Sequence, residues 1–314
     1  MPYTPFLSPK LYQTGAVLLL AWVCFSACSE RQKPPSGDIT VVDDLGREIR
    51  LDSLPGRIIS LAPSLTEIVY TLGAEEKLVG VSSYCDFPPE ASEKPSVGSV
   101  LEPSLEAISE LQPDLVLITV AGNSKATFQQ LDRLNIPSFV VEATSLDGVL
   151  HSIEGLGAIL GKEQQAISLV DSLQAITQTY RQRPAGGTQP KVLMLLSLQP
   201  IICAGQGTFA AELISLSDGE IAAPASPAYP VLSREYIIDS DPDVILVSSD
   251  LGVDRKYLLD TFPEWKSIQA FQDGIVTVVS ADLTQRPGPR LWQGLSAIES
   301  ILSSWSASRI APSP

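Results

Sequence analysis

One segment of this chain is written twice, and the repetition limits the folds available to it. Residues 106–118 read EAISELQPDLVLI, and residues 235–247 read EYIIDSDPDVILV. In each copy a glutamate stands seven residues before a Pro-Asp pair, which an uninterrupted aliphatic run follows. Proline ends a helix, and a short all-aliphatic run is typical of a parallel strand buried on both faces. Each half of the chain is therefore predicted to form an α/β unit.

Strands and helices are predicted to alternate around both copies, because short aliphatic runs are separated by stretches with helical spacing. A helix is predicted to begin at Ser64, since Ser64 and Glu67 have the spacing of a capping box. The other predicted helices in the lobes include 104–111, 125–134 and 291–305. The predicted strands are 58–61, 78–81, 115–119 and 138–141 in the first half and 192–196, 244–247 and 275–279 in the second.

Residues 146–183 have helical spacing without a strand, and Gly155, Gly157 and Gly161 indicate a break between two helices. The expected fold is α/β, with two lobes built on central parallel sheets and joined by a single long helix. Ligands of such sheets bind beyond the carboxyl ends of the strands, so two facing lobes form a binding cleft. The expected divisions are a signal peptide at 1–27, a tether at 28–37, an N-terminal lobe at 38–158, a connecting helix at 159–185, a C-terminal lobe at 186–308 and a tail at 309–314.

The first 27 residues are predicted to be a lipoprotein signal peptide rather than part of the fold. Their apolar run at 16–25 is too short to span a membrane and is followed by Ser26, Ala27 and Cys28. Small residues before a cysteine suit lipoprotein processing, so Cys28 is the expected lipidation site. A plain secretory signal with an incidental cysteine is the alternative. Lipidation predicts a protein anchored to a membrane at the periplasmic face of the cell envelope.

The acidic composition excludes some partners. The formal net charge of -15 at pH 7 disfavours binding to nucleic acid or to an anionic lipid surface. Of the four cysteines, Cys24 lies in the predicted signal and Cys28 is the expected lipidation site. Cys85 and Cys203 remain, so no disulfide framework is expected, and both are interpreted as reduced packing thiols.

Catalytic and metal-binding patterns are missing from the sequence. His151 is the single histidine, which rules out a histidine-based triad and a multi-histidine metal site. The chain also lacks Gly-x-Ser-x-Gly, a phosphate-binding glycine loop ending in Lys-Ser or Lys-Thr, and Cys-x-x-Cys. We therefore predict a protein that is not an enzyme and that has neither a cofactor nor a bound metal.

Three motifs carry a resemblance to a known family: VGVSSYCDFPPEA at 79–91, VLSRE at 231–235 and RPGPR at 286–290. With them, the chain resembles the cobalamin-binding branch of the helical-backbone solute-binding proteins of ABC importers, a family that also carries haem and iron-siderophores. The resemblance covers residues 58 to 301. It implies two α/β lobes joined by one long helix, with little opening and closing, and a ligand held in the cleft between them.

By matching position, the resemblance implies that Tyr84 and Tyr229 flank a corrin ring with aromatic faces, and that a few polar side chains meet its amide arms. Val100 and Ile202 stand where the family has aromatic residues, so the expected cleft is more aliphatic. The arginines of RPGPR are expected either to hold an anionic group or to pair with structural carboxylates. The remaining expected ligand contacts are Ser83, Asp86, Asp282 and Arg286.

The resemblance also implies a role for the two repeated glutamates. In the family, one acidic residue on each lobe docks with arginines of the importer's two membrane subunits, and Glu106 and Glu235 occupy those positions. A two-fold symmetric transporter requires matching contacts from both lobes, which the repeat supplies. The alternative is that each glutamate only stabilises the beginning of its helix through the helix dipole.

Together these features predict a lipid-anchored, monomeric solute-binding protein that captures a corrinoid such as cobalamin and delivers it to the membrane subunits of an ABC importer. One alternative is a haem or ferric-siderophore binding protein of the same fold. A second alternative is a lipid-anchored protein of unrelated role.

Overall fold

The computed structural model describes residues 39–184, 187–273 and 275–310. The predicted signal peptide and the whole predicted tether, including Cys28, therefore lie outside the described residues. Within the described ranges, no helix has both the length and the apolarity needed to cross a bilayer.

The N-terminal lobe is built on a parallel sheet whose strand order is β4-β3-β5-β6. An antiparallel hairpin of β1 and β2 precedes that sheet. The elements are β1 Ile39–Val42, β2 Glu48–Leu51, β3 Ile58–Ser60, α1 Pro63–Thr71, β4 Leu78–Val81, α2 Leu105–Glu110, β5 Leu115–Thr119, α3 Lys125–Arg133 and β6 Ser138–Val141, with short 3-10 turns at Glu75–Lys77 and Pro89–Glu93.

The C-terminal lobe repeats this arrangement. Its sheet has the order β11-β10-β7-β8, and β9 also pairs with β7; β8 alone is antiparallel to its neighbour. The elements are α4 Leu146–Leu160 and α5 Glu163–Arg181 between the lobes, then β7 Lys191–Leu198, β8 Ile201–Cys203, α6 Phe209–Leu216, β9 Glu220–Ile221, α7 Arg234–Ser240, β10 Val244–Ser248, α8 Arg255–Thr261, α9 Gln269–Gln272, β11 Val276–Val279, α10 Ala281–Thr284 and α11 Leu291–Ile310, with 3-10 turns at Ser249–Leu251 and Pro263–Ser267. The predicted α/β class with two lobes on central, mainly parallel sheets is confirmed.

The sequence repeat occupies equivalent places in the two lobes. The order β4-β3-β5-β6 corresponds to β8-β7-β10-β11, so the repeated strands, β5 and β10, are third in each sheet. The helix before each begins with a serine whose side chain accepts a backbone hydrogen bond, Ser104 from Ala107 and Ser233 from Tyr236. These serines satisfy one of the free N–H groups of each helix.

The Pro-Asp pair of each copy joins the helix to the sheet. The residue before each proline, Gln112 or Asp241, has a positive φ, of 44° and 40°, which turns the chain out of the helix. The aspartate that follows each proline accepts a hydrogen bond from a backbone N–H at or just before the start of the neighbouring strand. The distance is 2.8 Å for Asp114 and 3.0 Å for Asp243. The repeated residues are therefore those that fix the turn from helix to strand.

The hydrophobic core is shared by the two lobes. Alternate strand residues face opposite sides of a sheet, so Leu115 of β5 and Val244 of β10 lie in one large cluster. Their neighbours Val116 and Ile245 lie in two smaller clusters, one in each lobe. Because the large cluster runs through both lobes, moving one lobe relative to the other disturbs buried apolar contacts.

Two helices, α4 and α5, follow one another between the two sheets; the sequence predicts a single connecting helix at 159–185, and the helix found in that range is α5, Glu163–Arg181. The first, α4, ends at Gly161, which has a φ of 68°. The predicted break is thus at Gly161, whereas Gly157 lies inside α4, where a Cβ would come within 2.4 Å of the Ala166 side chain on α5. The indole N–H of Trp292 on α11 donates a buried hydrogen bond of 2.8 Å to Thr177 on α5.

Some predicted boundaries were wrong. The capping box at Ser64 does not form: α1 begins at Pro63, after Ala62, which makes no side-chain cap. Proline is favoured in a first turn because it has no N–H to satisfy, and this moves the helix start one residue earlier. Strand β3 ends at Ser60 and α11 extends to Ile310 rather than ending at 305.

Candidate ligand-binding site

A cleft of about 560 Å³ lies where the parallel strands of both sheets end. Its walls are the segments that follow β3, β5 and β6 in the N-terminal lobe and β10 and β11 in the C-terminal lobe. Carboxyl ends of parallel strands are the usual ligand site of such sheets. The lining residues are Ala62, Pro63, Ser64, Val100, Thr119, Val120, Ala121, Gly122, Val141, Glu142, Ala143, Thr144, Asp250, Ala281, Asp282, Gln285, Arg286 and Pro287.

Three of the residues predicted to contact a ligand line this cleft: Val100, Asp282 and Arg286. The backbone carbonyl of Val100 accepts a 2.7 Å hydrogen bond from the side-chain amide of Asn123. The same amide group also donates to the carbonyl of Leu61, so Asn123 fixes the Val100 loop against the end of β3.

The other five predicted contact residues do not line the cavity itself. Ser83, Tyr84 and Asp86 lie in the loop after β4, and Tyr84 is 61% exposed. Ile202 is half-buried in β8, and Tyr229, 57% exposed, lies in the loop before α7. Tyr229 occupies the position in the second copy of the repeat that Val100, a lining residue, occupies in the first. Both stand six residues before the repeated glutamate.

A buried carboxylate joins the lobes beside the cleft. Glu67 of α1 is 2% exposed. Its Oε2 accepts from Nε of Arg290 at 2.8 Å and its Oε1 accepts from Nη2 of the same arginine at 2.6 Å. Oε1 also accepts from Nη1 of Arg286 at 2.9 Å. One carboxylate of the N-terminal lobe therefore pairs with both arginines of the RPGPR loop.

Two further carboxylates complete this ion cluster, which consists of Glu67, Asp86, Asp282, Arg286 and Arg290. Asp86 accepts from Arg286 at 3.0 Å, and Asp282 contacts Arg286 at 2.7 Å and Arg290 at 3.4 Å. Burial lowers the pKa of Arg286, but its hydrogen bonds to Glu67 and Asp86 outweigh burial and raise that pKa overall. Of the two roles left open by the sequence, pairing with carboxylates is the one that the structure shows for both arginines.

Two sequence motifs meet in this cluster. Asp86 and Phe87 belong to the run CDFPP, and the guanidinium carbon of Arg290 lies 3.9 Å from the centre of the Phe87 ring. A cation over an aromatic face is attracted to the π electrons. The loop that carries Tyr84 is therefore held against the RPGPR loop of the other lobe.

Sequence reasoning missed the role of Glu67, because the residue matched a helix cap. One signal pointed to it: Glu67 stands between Leu65 and Ile68 in a strongly apolar segment. An acidic residue on a helix buried on most sides needs a charged partner, since an isolated buried charge is very costly. The sequence contains that signal but not the identity of the partner.

The repeated glutamates are exposed on both lobes. Glu106 and Glu235 are each the second residue of a short helix, α2 and α7. Hydrogen bonds from its own backbone N–H and from Ser233 lower the pKa of Glu235. Both side chains are exposed, so the structure leaves them accessible to a cationic partner.

Cys85 and Cys203 are buried and unpaired, which confirms the prediction of two packing thiols. Burial raises the pKa of Cys203 to about 11 and also raises that of Cys85. Both thiols are therefore protonated at neutral pH and poor nucleophiles. His151 is exposed beside Asp44, at 3.7 Å, and the described residues contain no group of three potential metal ligands.

The family comparison matches residues 58–283 to the periplasmic binding proteins. The match begins at β3 and ends within α10, so it includes the main sheets of both lobes and most of the cleft lining. The chain belongs to the periplasmic binding protein family.

Other members of this binding-protein family resemble it along most of their length. A vitamin B12-binding protein of Pectobacterium carotovorum is 31% identical over 258 residues, which are 81% of this chain and 90% of the relative. The crystal structure of the periplasmic vitamin B12 binding protein BtuF of Vibrio cholerae has a TM-score of 0.69 at 29% identity, covering 81% of this chain and 98% of that one. The periplasmic haem-binding protein HutB of Vibrio cholerae has a TM-score of 0.71 at 25% identity, with 78% and 98% covered.

We expect replacement of Glu67 in this periplasmic binding protein by alanine to lower the free energy of unfolding by about 3 to 5 kcal/mol, because two guanidinium groups lose their buried partner. Asp86→Ala is the matched control: it removes a carboxylate from the same cluster, but Asp86 is 63% exposed and its loss should cost less than about 1 kcal/mol. Urea denaturation followed by circular dichroism measures both. Equal losses for the two variants would contradict the assignment of Glu67 as the central carboxylate.

Proposed function

We propose that this periplasmic binding protein captures a corrinoid in the cleft between its lobes and delivers it to the membrane subunits of an ABC importer. The cleft carries the proposal: it gathers the ends of strands from both sheets, and most of its lining is apolar or uncharged. A flat macrocycle with amide arms suits apolar walls with a few polar groups. Similarity to vitamin B12-binding proteins over most of their length supports a corrinoid as the ligand.

In this proposal the ligand extends beyond the 560 Å³ cavity to the two exposed tyrosines. Tyr84 and Tyr229 offer aromatic faces to the corrin ring, and Val100 and Ile202 make aliphatic contacts with its edge. The amide arms meet polar partners at the rim of the cleft. Those partners are Ser83, Asp86, Asp282 and Arg286.

The corrinoid is cargo here rather than a cofactor, and no reaction is proposed. The same architecture also carries haem in solved relatives such as HutB of Vibrio cholerae. For haem, the hydroxyl of Tyr84 is a candidate iron ligand, since that side chain is exposed. Binding experiments therefore have to compare the two macrocycles.

We expect the protein to bind cyanocobalamin with a Kd of about 1 µM or tighter, measured by titration calorimetry and by the visible spectrum. Tyr84→Ala and Tyr229→Ala should each weaken that binding about tenfold, because each removes an aromatic contact with the ring.

Tyr257→Ala is the control for the two tyrosine variants, since Tyr257 is similarly exposed but lies on α8, a helix that contributes no residue to the cleft lining or to the proposed ligand contacts. Its affinity for cyanocobalamin should match that of the unaltered protein. If the protein binds haemin or a ferric siderophore tightly and does not bind cyanocobalamin, the corrinoid proposal is wrong and that compound is the ligand.

Docking to the importer is proposed to use Glu106 and Glu235. Their positions are equivalent in the two lobes, each follows the serine that caps a short helix, and both side chains are exposed. The two membrane subunits of an importer are related by two-fold symmetry, and paired acidic contacts fit paired arginines.

We expect the double variant Glu106→Ala with Glu235→Ala to bind cyanocobalamin normally and to lose at least about tenfold in importer-dependent uptake, since charge pairs desolvated at an interface contribute strongly. Radiolabelled cyanocobalamin uptake by proteoliposomes measures this. The control is Glu110→Ala with Asp239→Ala, which removes the same charge one turn further along the same helices. A similar loss of uptake in the control would show that overall negative charge, and not these two positions, supports docking, and it would contradict the proposal.

Attachment to a membrane is proposed to occur through Cys28, which lies outside the described residues. In the full chain, Cys28→Ser should move the protein from the membrane fraction to the soluble fraction and abolish palmitate labelling. Cys24→Ser provides the control, because this cysteine lies within the predicted signal and should leave labelling intact. Palmitate labelling that persists in Cys28→Ser would contradict the proposed anchor.

A further inference from the structure

The charged groups along the cleft have an excess of negative charge. Among the described lining residues, Arg286 is the single cation, whereas Glu142, Asp250 and Asp282 are carboxylates. An anionic ligand in the cleft would therefore depend on Arg286 for a positively charged partner among these lining residues.

Arg286 is already occupied by carboxylates. Its Nη1 donates to Glu67 and Asp86, and its Nη2 lies 2.7 Å from Asp282. Behind it, Arg290 is held by two atoms of Glu67. The ion cluster therefore contains three carboxylates and two guanidinium groups, which leaves it with a net negative charge.

The carboxylate of Glu67 cannot easily make way for a ligand. It is almost completely buried and bonds both arginines, so moving it aside would leave a charge without a partner in a poorly solvated place. Asp86, by contrast, is largely exposed and can turn towards water. Of the three carboxylates, Glu67 is the one that permanently satisfies the guanidinium groups.

We propose that Glu67 sets the charge selectivity of the cleft: by neutralising Arg286 and Arg290 from behind, it disfavours ligands that present a carboxylate and favours macrocycles with neutral amide arms. Glu67 is absent from the cleft lining and acts through Arg286, so it is a positioning residue. This inference rests on the proposed function, because it defines which member of a macrocycle class the cleft accepts.

The test compares two ligands that differ in one group: cyanocobalamin and its monocarboxylic acid, in which one peripheral amide is hydrolysed to a carboxylate. Titration calorimetry gives the Kd of each, and the readout is the Kd of the acid divided by the Kd of the amide. Any general loss of affinity cancels in this ratio. The unaltered protein should bind the acid about tenfold more weakly, and Glu67→Gln should lower the ratio about tenfold.

The matched control is Glu142→Gln, which makes the same change of charge in a lining residue that has no part in the ion cluster. Its ratio should stay within about twofold of the unaltered protein, because an exposed carboxylate is screened by water. An unchanged ratio in Glu67→Gln, or an equal fall in Glu142→Gln, overturns the inference. If Glu67→Gln does not fold by circular dichroism, Glu67→Asp replaces it: the shorter side chain draws the carboxylate away from Arg286, so a fall in the ratio of about threefold supports the inference and an unchanged ratio overturns it.

Failure of the proposed function gives a different result. If the unaltered protein binds haemin and not cyanocobalamin, the corrinoid proposal fails, and the same variants are compared with haemin and its dimethyl ester. A preference for the ester that disappears in Glu67→Gln would still support the role of Glu67. A preference for free haemin in the unaltered protein would overturn it.

Discussion

The pairing of one buried carboxylate with two arginines organises the region around the cleft. Glu67 lies on the first helix of the N-terminal lobe, and Arg286 and Arg290 belong to the loop that begins the last helix of the C-terminal lobe. A carboxylate at this depth is stable only because both partners are present. The pairing therefore fixes the RPGPR loop against α1. Through Asp86 and Phe87, it also holds the loop that carries Tyr84.

The shared hydrophobic core, like the ion cluster, holds the two lobes together. One cluster of buried residues runs through both lobes and the two connecting helices, and α5 is joined to α11 by the bond between Thr177 and Trp292. Separating the lobes would expose apolar surface, at about 2.5 kcal/mol for each 100 Å². The family resemblance implied little opening and closing, and this packing is consistent with that expectation.

Local features were predictable because their causes are local. The repeat predicted β5 and β10, and the structure places both in the third position of their sheets. Proline, the serine caps and the aliphatic runs act over a few residues, so the strands at 78–81, 115–119 and 138–141 were placed correctly. The start of α1 was wrong by one residue, since Pro63 and Ser64 both favour a helix start and the sequence does not rank them.

The sequence by itself determined the two α/β lobes and the equivalence of Glu106 and Glu235, because periodicity and spacing encode these features. Only the tertiary structure decided what Glu67 does, since its partners lie 219 and 223 residues away in the chain. The same is true of Asp86 and Arg286, which the sequence offered as ligand contacts and which the structure brings together as an ion pair. Charge pairing depends on proximity in space, and no local pattern records which remote side chain will complete it.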